Sequence, residues 1–142
     1  MDIKNKKFLV IGGAGLIGSH VVDELLKEDV KEVIIYDNFT RGREDNLTAA
    51  LKDPRCKVFD IGGDITQPDI LNKAMEGVDG VFHLAALWLL HCHEFPDSAF
   101  KVNVEGTFNV IMAAIRNKVQ RVVYSSSASV YGNAVELPMT EE

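Results

Sequence analysis

The chain has 142 residues, 46% hydrophobic and 25% charged, an ordinary globular composition and enough for one domain with its own core. Its formal net charge of -6, from 15 Lys and Arg against 21 Asp and Glu, lacks the basic face that a phosphate backbone or an anionic membrane requires, so neither nucleic acid nor membrane is an expected partner. Two cysteines, Cys56 and Cys92, make no disulfide framework, the start Met1–Lys7 shows no cleavage-site pattern, and the apolar stretch Val81–Leu90 is too short to span a bilayer, so the cytoplasm is the expected location.

Phe8-Leu9-Val10-Ile11, closed by Gly12-Gly13, is the unbroken apolar run of a buried parallel strand. From Leu16 the period changes. Ile17, Val21 and Leu25 recur every four residues, with Asp23, Glu24 and Lys27 on the other face, which predicts an amphipathic helix. Val33–Tyr36 reads as a second strand ending at Asp37, followed by a polar loop with Arg41-Gly42-Arg43 and a short helical stretch near Asn46–Leu51. Lys57-Val58-Phe59 reads as a third strand, ending in Gly62-Gly63-Asp64, and Pro68–Met75 as a helix with proline in its first turn. Val81–Leu84 is a fourth strand, and the segment from Trp88 to Glu94 reads as a loop before Pro96. Asp97-Ser98 is suited to cap a long helix running to about Arg116, with Phe100, Val104, Phe108 and Ile111 on one apolar face. Arg121–Tyr124 is a fifth strand, ending in Ser125-Ser126-Ser127, and Asn133–Glu142 reads as loop. Strand and helix in alternation predict an α/β fold with a parallel sheet covered on both faces.

The first strand meets the first helix at Gly12-Gly13-Ala14-Gly15-Leu16-Ile17-Gly18. Glycines at 12, 15 and 18 serve a tight turn, a close approach of backbone to a pyrophosphate, and a close fit of helix to sheet. The free N–H groups of the helix start, backed by its dipole, face such an anion. A glycine-rich turn by itself also serves simply to pack a helix tightly. Here it follows a strand, opens a helix and is joined by Asp37 at the end of the second strand. A carboxylate there accepts hydrogen bonds from the ribose hydroxyls of NAD and repels the 2′-phosphate of NADP. Arg41 and Arg43 lie just beyond and leave NADP open, but NAD is the expected cofactor.

Six segments in order resemble the extended short-chain dehydrogenase/reductase family, especially its nucleotide-sugar 4-epimerases and 4,6-dehydratases. They are Gly12-x-x-Gly15-x-x-Gly18-Ser19-His20, Asp37-Asn38-Phe39-Thr40-Arg41-Gly42, Gly63-Asp64-Ile65, His83-Leu84-Ala85-Ala86, Asn103-Val104-Glu105-Gly106-Thr107 and Ser125-Ser126-Ser127-Ala128-Ser129-Val130-Tyr131-Gly132. The resemblance covers essentially the whole chain. It implies a Rossmann-type doubly wound sheet in the order 3-2-1-4-5, an NAD-binding domain over residues 1–132, and a loop over 133–142 leading toward a C-terminal substrate lobe. It also implies roles for the matched residues. Gly12, Gly15 and Gly18 form the phosphate turn, with Leu16 and Ile17 placing backbone at the pyrophosphate. Asp37, Asn38, Phe39, Thr40, Arg41 and Gly42 surround the adenosine ribose. Asp64 and Ile65 flank the adenine, with Asp64 accepting from its exocyclic amine, and Leu84, Ala85, Ala86 and Leu87 run beneath the nicotinamide-side ribose. Asn103 matches the family's Asn on the long helix; a buried amide tying that helix to the sheet and a direct cofactor contact are equally good readings. Ser127 matches the catalytic Ser/Thr that hydrogen-bonds the reacting sugar hydroxyl, with Ser126 in its place if the register is off by one and plain capping of exposed backbone as the structural alternative. The implied partners are a nucleotide-sugar substrate and a second copy of the chain across the 97–116 helix.

The chain departs from the family at Ile11, where Thr is frequent, and at Trp88, where some epimerases carry a Lys near the cofactor. His91-Cys92-His93-Glu94 are metal-ligand residue types, but neighbours in sequence rarely close a tetrahedral site alone. No metal is expected, and the segment reads as a loop at the mouth of the substrate pocket. The family's chemistry needs a Tyr-x-x-x-Lys pair, whose lysine lowers the tyrosine pKa so that it takes a proton at neutral pH. Tyr36, Tyr124 and Tyr131 are followed four residues on by Thr40, Ala128 and Val135, so the pair is expected beyond Glu142. The expectation is therefore an N-terminal portion, inactive by itself, with apolar surface bare on the long helix and on the fifth strand. The alternatives are a non-catalytic dinucleotide-binding or interaction module and an NAD(P)-dependent reductase of the same family acting on a steroid- or flavonoid-like carbonyl.

Overall fold

The computed structural model describes residues 1–134 and 136–140. Strands β1 (Lys7–Ile11), β2 (Glu32–Tyr36), β3 (Cys56–Val58), β4 (Gly80–His83) and β5 (Arg121–Tyr124) form one sheet in the order β3-β2-β1-β4-β5. Every pairing is parallel. The sheet has the order expected from the sequence. Tyr36, Ile11, His83 and Tyr124 stand in one row of the register, so four strands end level and their following loops leave from one edge.

Alternation along β1 builds both cores. Phe8 and Val10 pack with Val33, Ile35 and, from helix α1 (Leu16–Lys27), Val22 and Leu25. Leu9 and Ile11 face the other way, onto Ile34, Tyr36, Leu71 of α2 (Pro68–Ala74) and Val110, Ala113 and Ala114 further along the chain. Burying each large side chain contributes about 1.5–3 kcal/mol, and β1 is buried on both faces because helices cover both.

Three expectations need correction. The Trp88–Glu94 segment is not a loop: Leu89–Glu94 forms helix α3. Pro96 then opens α4 (Pro96–Ala99) at its first position. The proline takes the first turn and leaves Phe95 at the cap, with no side-chain capping bond. Asp97 therefore lies inside the first turn, where its charge suits the helix dipole, and neither it nor Ser98 is the cap. The long helix is also not regular. Phe100–Gly106 winds as a π-helical stretch before α5 (Thr107–Arg116) resumes ordinary winding. Smaller shifts occur elsewhere: β3 starts one residue early, and the helical stretch near Asn46–Leu51 is two short 3-10 turns, Glu44–Leu47 and Ala50–Lys52.

The outer face of the long helix is bare. Phe100, Phe108 and Ile115 are each 60% exposed or more, Val104 and Ile111 are exposed beside them, and β5 shows Val122, Val123 and Tyr124 to solvent. A 3-10 turn over Ala128–Tyr131 follows β5. Of the expected terminal loop, Val135, Glu141 and Glu142 lie outside the described residues; the other residues from Gly132 onward form no helix or strand. Among the described residues no helix is long and apolar enough to cross a membrane.

Candidate functional site

The chemistry-bearing residues gather at the carboxyl edge of the sheet. The Gly12–Gly18 turn follows β1, the central strand, where the strand order reverses between β1 and β4. Ligands of open α/β sheets bind at such a switch point. Gly12 has φ +80, and a Cβ there would stand 2.7 Å from the Ala85 amide nitrogen. At Gly18 a Cβ would lie 2.0 Å from the Gly12 carbonyl oxygen. The turn and the helix start are thus pressed together more closely than any side chain permits. Gly15 holds the cap position of α1 with no side-chain capping bond, and no acidic residue lies in the first turn. Leu16 and Ile17 are exposed there. Their N–H groups have no partner four residues back within the helix, which leaves them for water or an anion.

Asp37 ties the end of β2 to this turn. Its Oδ2 accepts from the Ala14 N–H at 2.9 Å and its Oδ1 from the Phe39 N–H at 2.8 Å. A carboxylate has about four acceptor positions, so capacity remains for ribose hydroxyls. Thr40 donates its N–H to Asn38 Oδ1 at 3.1 Å, and Phe39 packs toward the α1 side of the core. The Ala14 carbonyl accepts from the Arg43 N–H at 3.0 Å and from Asn46 Nδ2 at 2.8 Å. The loop from Asp37 to Asn46 is therefore bonded to the glycine turn at both of its ends. Gly42 sits against Ala14 and the Asp37 carboxylate. Arg43 pairs with Asp45 at 3.3 Å, whereas Arg41 lays its guanidinium over the Trp88 ring at 5.0 Å.

Asp64 is committed locally: its Oδ1 accepts from the N–H and hydroxyl of Thr66, at 2.9 and 2.8 Å. Its carbonyl accepts from the Tyr36 hydroxyl at 2.9 Å. Burial pushes the Tyr36 pKa far up, with the Asp64 charge adding to it, so Tyr36 acts as a neutral donor and not as a base. The Ile65 side chain lies in the core, which leaves only its backbone for the edge. That backbone's carbonyl accepts from Asn109 Nδ2 at 3.1 Å.

After β4, Leu84 donates its N–H to Ile11 and the loop runs on through Ala85 and Ala86 to Leu87. Asn103, in the π-helical stretch, grips Leu87 from both sides. Its Oδ1 accepts the Leu87 N–H at 2.7 Å, and its Nδ2 donates to the Leu87 carbonyl at 3.0 Å. Asn103 thus ties its helix to the loop after β4. His83 is fully buried, 3.0 Å from Thr107 Oγ1 through Nε2, with Nδ1 unpartnered. Burial pushes its pKa down to about 4, so a neutral imidazole stands behind the loop.

Ser127 lies on the β5 side of the same edge, exposed, accepting the Ser129 N–H at 3.2 Å and donating to Ser129 Oγ at 3.1 Å. It opens the 3-10 turn, so its capping role is real, and its hydroxyl remains open to solvent. Ser126 is exposed beside it. His91 stacks on Phe95 with centroids 5.0 Å apart, and among the described residues no three His, Cys, Asp or Glu gather as a metal site. An open hollow of about 430 Å³ against α1, lined by His20, Asp23, Lys27 and Asp53, lies away from this edge and takes no part in it. The sequence had flagged neither Asn46 nor Ala14 as site residues, and no local pattern marks them.

A parallel sheet of this order, with a glycine turn at its switch point and an acid ending β2, defines the Rossmann class of dinucleotide-binding folds. The model of the 3-beta hydroxysteroid dehydrogenase/isomerase family matches residues 9–141, and the chain belongs to the extended short-chain dehydrogenase/reductase family that also holds the nucleotide-sugar epimerases and dehydratases. It is 37% identical over 138 residues to UDP-glucuronic acid decarboxylase 6 of Arabidopsis thaliana, covering 96% of this chain and 38% of that protein. The UDP-N-acetylglucosamine 4-epimerase of Methanobrevibacter ruminantium M1, solved with UDP-N-acetylmuramic acid, superposes with a TM-score of 0.84 at 34% identity, over 97% of this chain and 43% of that one. The UDP-glucose 4-epimerase of Brucella ovis, solved in complex with NAD, superposes with a TM-score of 0.81 at 30% identity, over 96% and 40%. The chain is thus homologous to the NAD-binding portion of such enzymes and spans about two-fifths of their length.

Proposed function

We propose that the chain binds NAD and forms the cofactor-holding part of an enzyme that transiently oxidises a hydroxyl of a nucleotide sugar. The observation that carries this reading is the uncapped start of α1 behind the Gly12–Gly18 turn, with Asp37 bonded to it through Ala14. Such a helix start offers N–H donors and a favourable dipole to a pyrophosphate. Gly12, Gly15 and Gly18 keep side chains out of its way, and Leu16 and Ile17 give it backbone. Asp37 accepts from the adenosine ribose and disfavours a 2′-phosphate, within the loop Asn38, Phe39, Thr40, Arg41 and Gly42. Asp64 and the backbone of Ile65 border the adenine. Leu84, Ala85, Ala86 and Leu87 form the floor toward the nicotinamide, held by Asn103.

When bound, NAD supplies the hydride store for the oxidation. Ser127 orients the reacting hydroxyl by hydrogen bonding. The base is not among the tyrosines of this chain, since none has a lysine four residues on, so the 142 residues alone are read as inactive. The reading keeps the protein in the cytoplasm, with 1–132 as its cofactor domain, and places a second copy against the bare face of Phe100, Phe108 and Ile115.

Calorimetric titration of NAD tests the central claim. Saturable binding that Asp37→Ala weakens at least tenfold is the expected result. A folded chain that takes up no NAD overturns it and leaves a dinucleotide-free interaction module. One observation favours a second reading, a reductase acting on a steroid-like carbonyl: the matching family model carries a steroid dehydrogenase description. NADPH binding more tightly than NADH would favour that reading.

A further inference from the structure

Arg41 and Trp88 come from opposite sides of the glycine turn. Arg41 belongs to the loop after β2 and Trp88 to the loop after β4, and β1 with its turn runs between them. Strands β2 and β4 are two strand spacings apart, about 10 Å, so a contact between their loops spans the carboxyl edge. The guanidinium sits 5.0 Å from the Trp88 ring centroid, within the range of a cation–π attraction. Both ends of the bridge are anchored. On one side the Arg43 N–H and Asn46 bond the Ala14 carbonyl, with Gly42 packed on Asp37. On the other, Asn103 holds Leu87 by two hydrogen bonds. The two side chains themselves are exposed. The bridge thus has fixed posts and a weak, solvent-facing joint, which is the construction of a latch.

We propose that Arg41 and Trp88 form a latch across the dinucleotide groove that must part for the cofactor to pass in or out. The inference rests on the NAD reading above. A latch that closes both in the free protein and over the bound cofactor slows uptake and release together, because both pass through the parted state, and it changes affinity less than either rate. A residue that only contacts the cofactor changes release and affinity together.

Stopped-flow measurement of NADH binding to the 142-residue chain, followed by the coenzyme's own fluorescence, tests this. Trp88→Ala and Arg41→Ala are each expected to raise both rates about two- to five-fold, the factor that one exposed cation–π contact supplies. The double variant gains no more than either single one, and Trp88→Phe, which keeps a ring, stays near the parent. Trp88 is the chain's single tryptophan, so in the parent and in Trp88-containing variants its emission reports the parting directly. Unchanged rates in variants that still bind NADH overturn the latch and leave the cofactor reading standing. Faster release with a matching loss of affinity also overturns it, and makes Trp88 a binding contact. A folded parent chain that binds no NADH overturns both.

Discussion

Replacing Asn103 with alanine removes one side chain and strips Leu87 of two partners. The amide accepts the Leu87 N–H at 2.7 Å and donates to its carbonyl at 3.0 Å, at a half-buried position where water replaces it poorly. Leaving such groups unsatisfied costs about 1–3 kcal/mol. Partial exposure places the loss near the lower end, at about 1–2 kcal/mol. For a chain of 142 residues the unfolding entropy is about 0.3 kcal/mol/K, which converts that loss to a fall in melting temperature of roughly 3–7 °C. Asn103→Asp separates the two bonds. It keeps an acceptor for the Leu87 N–H, but sets a carboxylate against the Leu87 carbonyl, and it should be no more stable than the alanine variant at pH 7. Thermal melts by circular dichroism measure both. An alanine variant melting within 1 °C of the parent would refute the idea that Asn103 fixes the loop. NAD affinity supplies a second check, since a loosened Leu84–Leu87 floor should weaken it.

Gly18→Ala drives a Cβ to 2.0 Å from the Gly12 carbonyl oxygen and 2.8 Å from the Gly13 Cα, backbone atoms that cannot swing aside. Overpacking of this kind costs about 1–3 kcal/mol, so the melting temperature should fall by roughly 3–10 °C and NAD uptake should be lost; an alanine variant that binds NAD like the parent contradicts the account of the turn. For His83, burial lowers the folded-state pKa to about 4 from an ordinary value of 6.5. Between those values the unfolded chain binds the extra proton, so this contribution is complete above pH 6.5 and is lost as pH falls toward 4, amounting to about 3 kcal/mol over the window. Denaturant melts between pH 7 and 5 should show the decline, and His83→Gln, which keeps a partner for Thr107, should flatten it.

The strands were legible because burial on both faces leaves an unbroken apolar run. Phe8–Ile11 and Val33–Tyr36 show such runs, whereas the sheet order was legible only through the family resemblance. Asp37 was legible from its place just after β2. Its bond to Ala14 was not, because it depends on how closely Gly42 and the turn pack. The helix Leu89–Glu94 was not legible, because six residues are too few to show a helical period. The π-helical stretch left no mark in sequence, since Phe100, Val104, Phe108 and Ile111 keep spacings that suit an ordinary helix. The Arg41–Trp88 contact joins residues far apart in sequence, and only the strand order brings their loops together.

An ordinary helix advances 100° per residue, so each of its side chains has an angular position dictated by all the others. The wide turn between Phe100 and Gly106 breaks that rule. It inserts a phase offset into the stretch that carries Asn103 to Leu87, ahead of the half that meets the core through Val110, Ala113 and Ala114. The two halves can be aimed separately. Substitutions that repack the core against α5 need not swing the amide off its loop, and changes at the loop need not unseat the core. Wide turns of this kind are found often at functional sites, and here the offset gives the Asn103 grip on the loop after β4 an alignment of its own.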